Sequence, residues 1–214
     1  MLQLSGKTKE PLRKIALATF RELRFAEKKE WILNTAAEIF AKKGYEKTTL
    51  EEIAAELKMT KGSLYYYFRG KEDILFQSLL IAHRLANDVL RKISAKKGLS
   101  PKEKLSLAIK EHVKVLTKKF VYATLRQQDL LLPGKLRNAV MAERDRFQKT
   151  FMGIIREGIE DGSFRQADWK MISFAILGSV NWVARWYSPN GPLSPEEIGN
   201  ALADYLVEGL LMKS

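Results

Sequence analysis

Apolar residues recur at spacings of three and four along most of this chain, whereas the strict alternation typical of β-strands is absent. This periodicity is that of amphipathic helices. Only six prolines and thirteen glycines interrupt it in 214 residues. With 46% hydrophobic and 29% charged residues, the composition is that of a globular protein with a packed core, which excludes disordered and collagen-like chains. We therefore expect an all-α fold.

Two short helices joined by a turn are predicted in the N-terminal third. Thr48 and Thr49 each precede a glutamate by three residues, which is the capping-box spacing at the start of a helix. Thr60 is suited to cap the next short helix, residues 61–68, and two short helices arranged in this way form a helix-turn-helix. The other predicted helices span residues 26–43, 71–95, 101–119, 121–132, 135–161, 168–187 and 195–212.

The short helix at residues 61–68 is too polar to be wholly buried and too aromatic to be a solvated surface. Its polar and aromatic residues are Lys61, Gly62, Ser63, Tyr65, Tyr66 and Tyr67. The backbone N–H groups that follow Thr60 and the ammonium of Lys71 are suited to bind phosphates. The net charge is +12, and residues 1–71 carry half of it in a third of the chain. This favours an anionic partner such as nucleic acid, a phosphorylated ligand or a lipid surface.

The same stretch resembles the DNA-binding domain of TetR-family transcriptional regulators over about residues 27–76. The resemblance rests on Thr48-Thr49-Leu50, Ile53-Ala54, the run from Thr60 to Phe68, and Lys71-Glu72. It implies that the helix at residues 61–68 enters the major groove of double-stranded operator DNA. The residues implied to face DNA are Lys61, Gly62, Ser63, Tyr65, Tyr66 and Tyr67, those implied to hold phosphates are Thr49 and Lys71, and those implied to anchor the helix in the core are Leu64 and Phe68. Thr60, at the start of the helix, is also expected to bind DNA.

Three features of this region leave alternatives open. One of the three tyrosines could pack in the core instead of facing DNA. Residues 1–25 form an N-terminal extension that is either solvated or a helix whose cations, Arg21 and Arg24 among them, reach neighbouring phosphates. Lys58 lies in the turn where the resembled family usually has glycine, and a left-handed backbone at a lysine would cost about 1 kcal/mol.

Residues 168–187 are apolar around most of the helix circumference. Such a helix is either central in its domain or sandwiched between the domain and a partner subunit. Gly178 and Ser179 permit close helix approach. Together with the last predicted helix, residues 195–212, it would form an intermolecular four-helix bundle with a second copy. We therefore expect a homodimer, as in the resembled family.

The stretch from Leu177 to Ile198 is similar to the acyl-CoA-responsive branch of TetR regulators, which repress fatty-acid or steroid-ring degradation. Trp182 and Trp186 lie one helical turn apart and could flank an acyl chain or adenine, while Arg185 offers a fork for phosphate. Alternatively, the tryptophans pack in the core or dimer interface and Arg185 forms an intersubunit salt bridge. The expected effector-binding residues are Arg126, Arg144, Asn181, Trp182, Arg185 and Trp186, with Arg146 as a further basic candidate.

Several classes of chemistry are excluded by composition. The chain has no cysteine, which removes disulfides, thiolate nucleophiles and cysteine-based metal sites and suits a reducing cytoplasm. His83 and His112 lack partners at ligand spacing, so no metal site is expected, and no catalytic motif is found. No uncharged apolar stretch reaches about 18 residues, so no membrane partner is expected. We predict a cytoplasmic protein that is not an enzyme and carries no cofactor.

The predicted organisation is an N-terminal extension (1–25), a three-helix helix-turn-helix domain (26–70), and a C-terminal helical ligand-binding and dimerisation bundle (71–214). The predicted function is a repressor of lipid or fatty-acid metabolism genes that acyl-CoA releases from DNA. One alternative is a TetR-type regulator of efflux or another pathway, with a different hydrophobic ligand. Others are a ligand-insensitive architectural DNA-binding protein, and an acyl-CoA carrier or enzyme, which would leave the DNA-facing helix unexplained.

Overall fold

The computed structural model describes residues 9–125 and 131–211, with side chains from residue 19 onwards. The described residues contain helices and no strand, which confirms the all-α prediction. The helices are α1 (Lys9–Lys43), α2 (Leu50–Glu56), α3 (Lys61–Tyr65), α4 (Lys71–Ser94), α5 (Pro101–Leu116), α6 (Lys119–Leu125), α7 (Gly134–Glu160), α8 (Trp169–Trp186) and α9 (Pro195–Glu208).

Helix α1 is longer than the helix predicted at residues 26–43. It begins at Lys9 and passes the expected boundary between residues 25 and 26 without a break. The sequence has no glycine or proline between residues 12 and 43 to interrupt it. The predicted end is confirmed, since Gly44 follows with a φ of +86°, a left-handed conformation that favours glycine.

Side-chain hydrogen bonds cap the N-termini of several helices at the residues that the sequence predicts. Capping boxes form at Thr49–Glu52, Ser100–Glu103 and Ser194–Glu197. Thr48 does not cap α2, because its hydroxyl is buried and donates to the carbonyl of Gly44. Helix α9 is shorter than predicted, and the helix predicted at residues 121–132 lies partly outside the described residues.

Helix α4 contributes to two separate hydrophobic cores. Its first turns, including Ile74 and Leu75, pack with α1, α2 and α3 in what we call the N-terminal core. Its later turns, including Leu90 and Ile93, pack with α5 and α7 in the C-terminal bundle. The buried carboxylate of Glu143 on α7 joins this helix to α4 by accepting hydrogen bonds from Arg84 and Asn87 of α4. A displacement of α4 therefore involves both cores.

The chain on either side of the undescribed residues 126–130 packs against the N-terminal core. Leu132 and Val140 are buried in that core although they belong to the C-terminal part of the chain. Helix α6 packs on α1, where Lys119 forms an ion pair of 2.7 Å with Glu38. The N-terminal core thus extends beyond the domain boundary predicted at residue 71.

Candidate nucleic-acid interface and ligand cavity

Helix α3 is anchored by two apolar residues and presents its other side to solvent. Leu64 and Phe68 are buried, as predicted. The Thr60 hydroxyl accepts a hydrogen bond from the backbone N–H of Ser63 at 3.1 Å, which confirms the predicted cap. The exposed residues of the predicted set are Thr49, Thr60, Lys61, Gly62, Ser63, Tyr65 and Tyr66. They lie along α3, at its two caps and at the N-cap of α2, and they form what we call the reading surface.

Tyr67 is not part of the reading surface. Its ring stacks on Phe25 of α1 with centroids 4.9 Å apart, and it packs against the N-terminal core. Tyr66 meets both rings edge-on and keeps 73% of its surface exposed. Tyr67 is therefore the tyrosine that packs on the protein, in agreement with the alternative that one of the three does so.

Lys71, for which the resemblance implies a phosphate contact, donates hydrogen bonds to the backbone of the protein itself. Its ammonium donates to the carbonyl oxygens of Tyr45 at 2.9 Å, Thr48 at 2.8 Å and Glu46 at 3.4 Å. The three N–H donors of the ammonium are used by these acceptors. Lys71 therefore joins the start of α4 to the turn between α1 and α2, so it positions the helix-turn-helix from inside the protein.

The turn between α2 and α3 has the backbone that the sequence suggested. Lys58 has a φ of +51°, the only left-handed non-glycine backbone among the described residues. An ion pair of 2.5 Å between Lys61 and Glu51 spans the same turn. This contact raises the pKa of Lys61 above its ordinary value. The Lys61 ammonium therefore remains charged on the reading surface.

The N-terminal half of α1 carries cations and aromatic rings beside the reading surface. Arg21, Arg24 and Lys28 line a shallow groove together with Tyr66. The ammonium of Lys28 lies 3.8 Å from the ring centroid of Trp31, within cation–π range. The contact between Phe25 and Tyr67 joins residues 42 positions apart, so no local pattern in the sequence could have revealed it.

The C-terminal bundle contains a cavity of about 430 Å³, within the size range of small-molecule sites. Side chains from α4, α5, α6, α7 and α8 line it. The predicted residues Arg144, Asn181, Trp182 and Arg185 are among them, whereas Trp186 is not. Arg126 lies outside the described residues, and Arg146 forms an ion pair with Glu143 away from the cavity.

His112 is a cavity residue that the sequence reasoning did not select. Its Nε2 lies 2.9 Å from Oδ1 of Asn181 on α8, and its ring packs 4.5 Å from that of Phe147. Burial lowers the pKa of His112 to about 4, so the ring is neutral at pH 7. Its Nδ1 is buried and has no hydrogen-bond partner. The only hint in the sequence was a histidine on the apolar face of a predicted helix.

Helix α8 exposes an apolar face beside the mouth of the cavity. Trp182 is 64% exposed, and the space above Gly178 is open. Trp186 lies on this face, which explains its absence from the cavity lining. The exposed large apolar residues of α8 and α9 are Trp169, Met171, Phe174, Trp182, Trp186 and Tyr205. Five of these six residues lie on α8, and one, Tyr205, lies on α9.

Within residues 19–125 and 131–211 no three histidine or carboxylate side chains cluster as a metal site would require. No helix in this part of the chain combines the length and apolar character needed to cross a membrane.

Two family profiles match the chain. The profile "Bacterial regulatory proteins, tetR family" covers residues 32–77, and the profile "Tetracyclin repressor-like, C-terminal domain" covers residues 98–210. The chain belongs to the TetR family of transcriptional repressors. This is a family of DNA-binding regulators, not enzymes.

Three relatives match most of this chain at similar sequence identity. The transcriptional repressor KstR2 of Mycolicibacterium smegmatis is 27% identical over 86% of this chain and 91% of its own length. The fatty acid metabolism regulator protein of Bacillus subtilis is 27% identical over 84% of this chain and 93% of its own. The structure of AibR in complex with isovaleryl coenzyme A and operator DNA superposes with a TM-score of 0.73 and 28% identity, over 86% of this chain and 97% of AibR.

Proposed function

We propose that this protein is a cytoplasmic homodimeric repressor of lipid or fatty-acid metabolism genes, and that an acyl-CoA releases it from its operator. The observation that carries the proposal is the cavity, since one chain holds both a reading surface and a site lined by apolar side chains and by two arginines, Arg144 and Arg185. A ligand-insensitive architectural protein has no use for such a site.

In this proposal α3 lies in the major groove of operator DNA. Lys61, Tyr65 and Tyr66 extend from the reading surface towards base edges, while Thr49 and the N–H groups at the start of α3 meet phosphates. The exposed cations of α1 lie on the same side as Tyr66 and contact flanking phosphates. Two copies of α3 in one dimer would read half-sites one helical turn of DNA apart, about 34–36 Å, or a multiple of it.

The proposed dimer forms through α8 and α9. The exposed apolar residues of α8, together with Tyr205 of α9, would form the interface, and a two-fold axis would pair these helices with those of a second copy into a four-helix bundle. Gly178 has no atom within 4 Å of the position its Cβ would take, which leaves room for a partner helix. In this arrangement Trp182 contributes to both the dimer and the cavity mouth.

An acyl-CoA fits the chemistry of the cavity. The acyl chain would lie among Ala86, Val115, Leu116 and Phe147, where each buried methylene contributes about 0.8 kcal/mol. The CoA phosphates would meet the guanidinium groups of Arg144 and Arg185, which bind phosphate as a planar fork. The names of the Bacillus fatty acid metabolism regulator and of the AibR complex with isovaleryl coenzyme A support this class of effector.

The cavity is connected to the N-terminal core through α6. Val121 and Leu125 line the cavity, and Leu125 and Phe120 also pack against the N-terminal core. Helix α6 contacts α1 and forms the ion pair between Lys119 and Glu38. A ligand that displaces α6 would therefore shift α1 and α4 together. A preference of about 1.4 kcal/mol for the shifted state lowers operator occupancy about tenfold.

Titration of an operator complex with acyl-CoAs of increasing chain length tests the proposal. Release should improve with chain length until the cavity is full, and Arg185→Ala should blunt release while operator affinity in the absence of ligand is kept. Lys149→Ala, which removes a basic residue of α7 outside the cavity lining, is the control. If free fatty acids release the operator as well as their CoA esters do, the arginines have no phosphate-binding role and the effector is a different hydrophobic ligand.

A further inference from the structure

The cavity holds one polar centre whose hydrogen-bonding capacity is incompletely used. His112 on α5 and Asn181 on α8 meet across 2.9 Å, and both line the cavity. His112 is only 8% exposed, and its Nδ1 lacks a partner. A buried polar atom left unpaired is costly, so native proteins normally provide a partner from the protein, from water or from a ligand.

The direction of the hydrogen bond determines what this partner must be. A neutral imidazole has one nitrogen that donates and one that accepts. The amide oxygen of Asn181 can only accept, so Nε2 of His112 carries the proton and donates. Nδ1 is then a bare acceptor. Its missing partner is therefore an O–H or N–H donor, and a carbonyl group cannot serve.

We propose that His112, with its tautomer set by Asn181, accepts a hydrogen bond from an O–H or N–H group of the bound acyl thioester and so makes the cavity selective for effectors that carry such a donor. This inference rests on the proposed function. Two sources of the donor fit the chemistry, a hydroxyl on the acyl chain next to the thioester and an amide N–H of the pantetheine arm. A saturated acyl chain by itself offers neither.

The binding of decanoyl-CoA and β-hydroxydecanoyl-CoA to the full chain, measured by calorimetry, tests the inference. His112→Phe keeps a ring to pack on Phe147 and removes the acceptor. We expect it to weaken binding of the hydroxylated thioester about tenfold. If decanoyl-CoA is hardly affected, the donor is the acyl hydroxyl, and if both thioesters lose affinity equally, the donor is the pantetheine amide. Either result supports an acceptor at His112.

Asn181 provides a second test that does not depend on the folding of His112→Phe. Asn181→Leu removes the acceptor that fixes the proton on Nε2, so the proton can move to Nδ1. It should weaken binding of the same thioester or thioesters that His112→Phe weakens. Ser78→Ala is the matched control, because the Ser78 hydroxyl is also buried without a partner but does not line the cavity.

Two outcomes would overturn the inference, and they are distinct. Wild-type affinity of His112→Phe or Asn181→Leu for both thioesters would show that the effector gives no hydrogen bond to Nδ1, while the proposed effector class would stand. Failure of the wild-type chain to bind either thioester would instead remove the effector class and, with it, the inference.

Discussion

The reading surface and the cavity are built in different ways. The reading surface takes its residues from one short stretch, Thr49 to Tyr66, and local caps and a turn position them. The cavity draws on five helices, and its central hydrogen bond joins residues 69 positions apart. A change on the reading surface should therefore alter recognition alone, whereas a change in the cavity should alter recognition and stability together.

The largest expected effect is a loss of stability in the bundle. Phe151→Ala removes a buried ring that stacks on the cavity residue Phe147. The resulting void should lower the free energy of unfolding by about 3–5 kcal/mol. The exposed Tyr66→Ala should change it by about 0.5 kcal/mol or less. Urea denaturation of both variants measures the contrast, and equal losses would remove the proposed difference between the two regions.

A dependence of stability on pH is expected from the cavity. Unfolding returns His112 from a pKa of about 4 to its ordinary 6.5. The unfolded chain then binds more protons between these values, so stability is complete above pH 6.5 and falls as the pH drops towards 4. The loss is about 3 kcal/mol. His112→Phe should flatten this part of the curve, and a slope unchanged in that variant would assign the loss to other groups.

On the reading surface the two adjacent tyrosines should separate sequence preference from overall affinity. Tyr66→Ala should change which operator variants are preferred, since a base contact contributes about 1–3 kcal/mol. Tyr67→Ala and Phe25→Ala should instead weaken all operators similarly, because both remove the stack that orients α3. Binding to a panel of operator variants at fixed salt measures this. A preference altered by Phe25→Ala would place α1 in direct base contact.

The smallest effect concerns the turn of the helix-turn-helix. Lys58 has a left-handed backbone, which glycine adopts without a steric penalty. Lys58→Gly should raise the free energy of unfolding by about 1 kcal/mol. Operator affinity should change little, because the backbone of the turn is kept. Destabilisation by glycine would mean that contacts of the Lys58 side chain outweigh the backbone strain.

The features that the sequence predicted correctly depend on interactions between residues that are close together in the chain. The caps at Thr49 and Thr60 and the buried pair Leu64 and Phe68 follow from spacing or from the family resemblance. The contact between Tyr67 and Phe25 could not be predicted in this way, since Phe25 lies in the distant half of α1. The same holds for the hydrogen bonds of Lys71, because its three acceptors lie on a turn more than 20 positions earlier.

The cavity could be predicted only in part. The residues chosen on α8 lie along one element, and the resemblance pointed to that element. His112 was discounted because it has no histidine or carboxylate at ligand spacing, a criterion that applies to metals and not to an amide on another helix. The helical spacing placed Trp186 in the same site as Trp182. The cavity lies to one side of α8, however, and only Trp182 lines it.

The shared N-terminal core limits how operator specificity can be exchanged between members of this family. A hybrid regulator joined inside α4, after Leu79, would divide that helix between the two cores at the natural point. Leu132 and Val140 of the recipient would still be buried against the donor's α1 and α4. Transplanting residues 1–80 alone would therefore create a mismatched contact, and a hybrid should fold well only if residues 131–140 are exchanged with them.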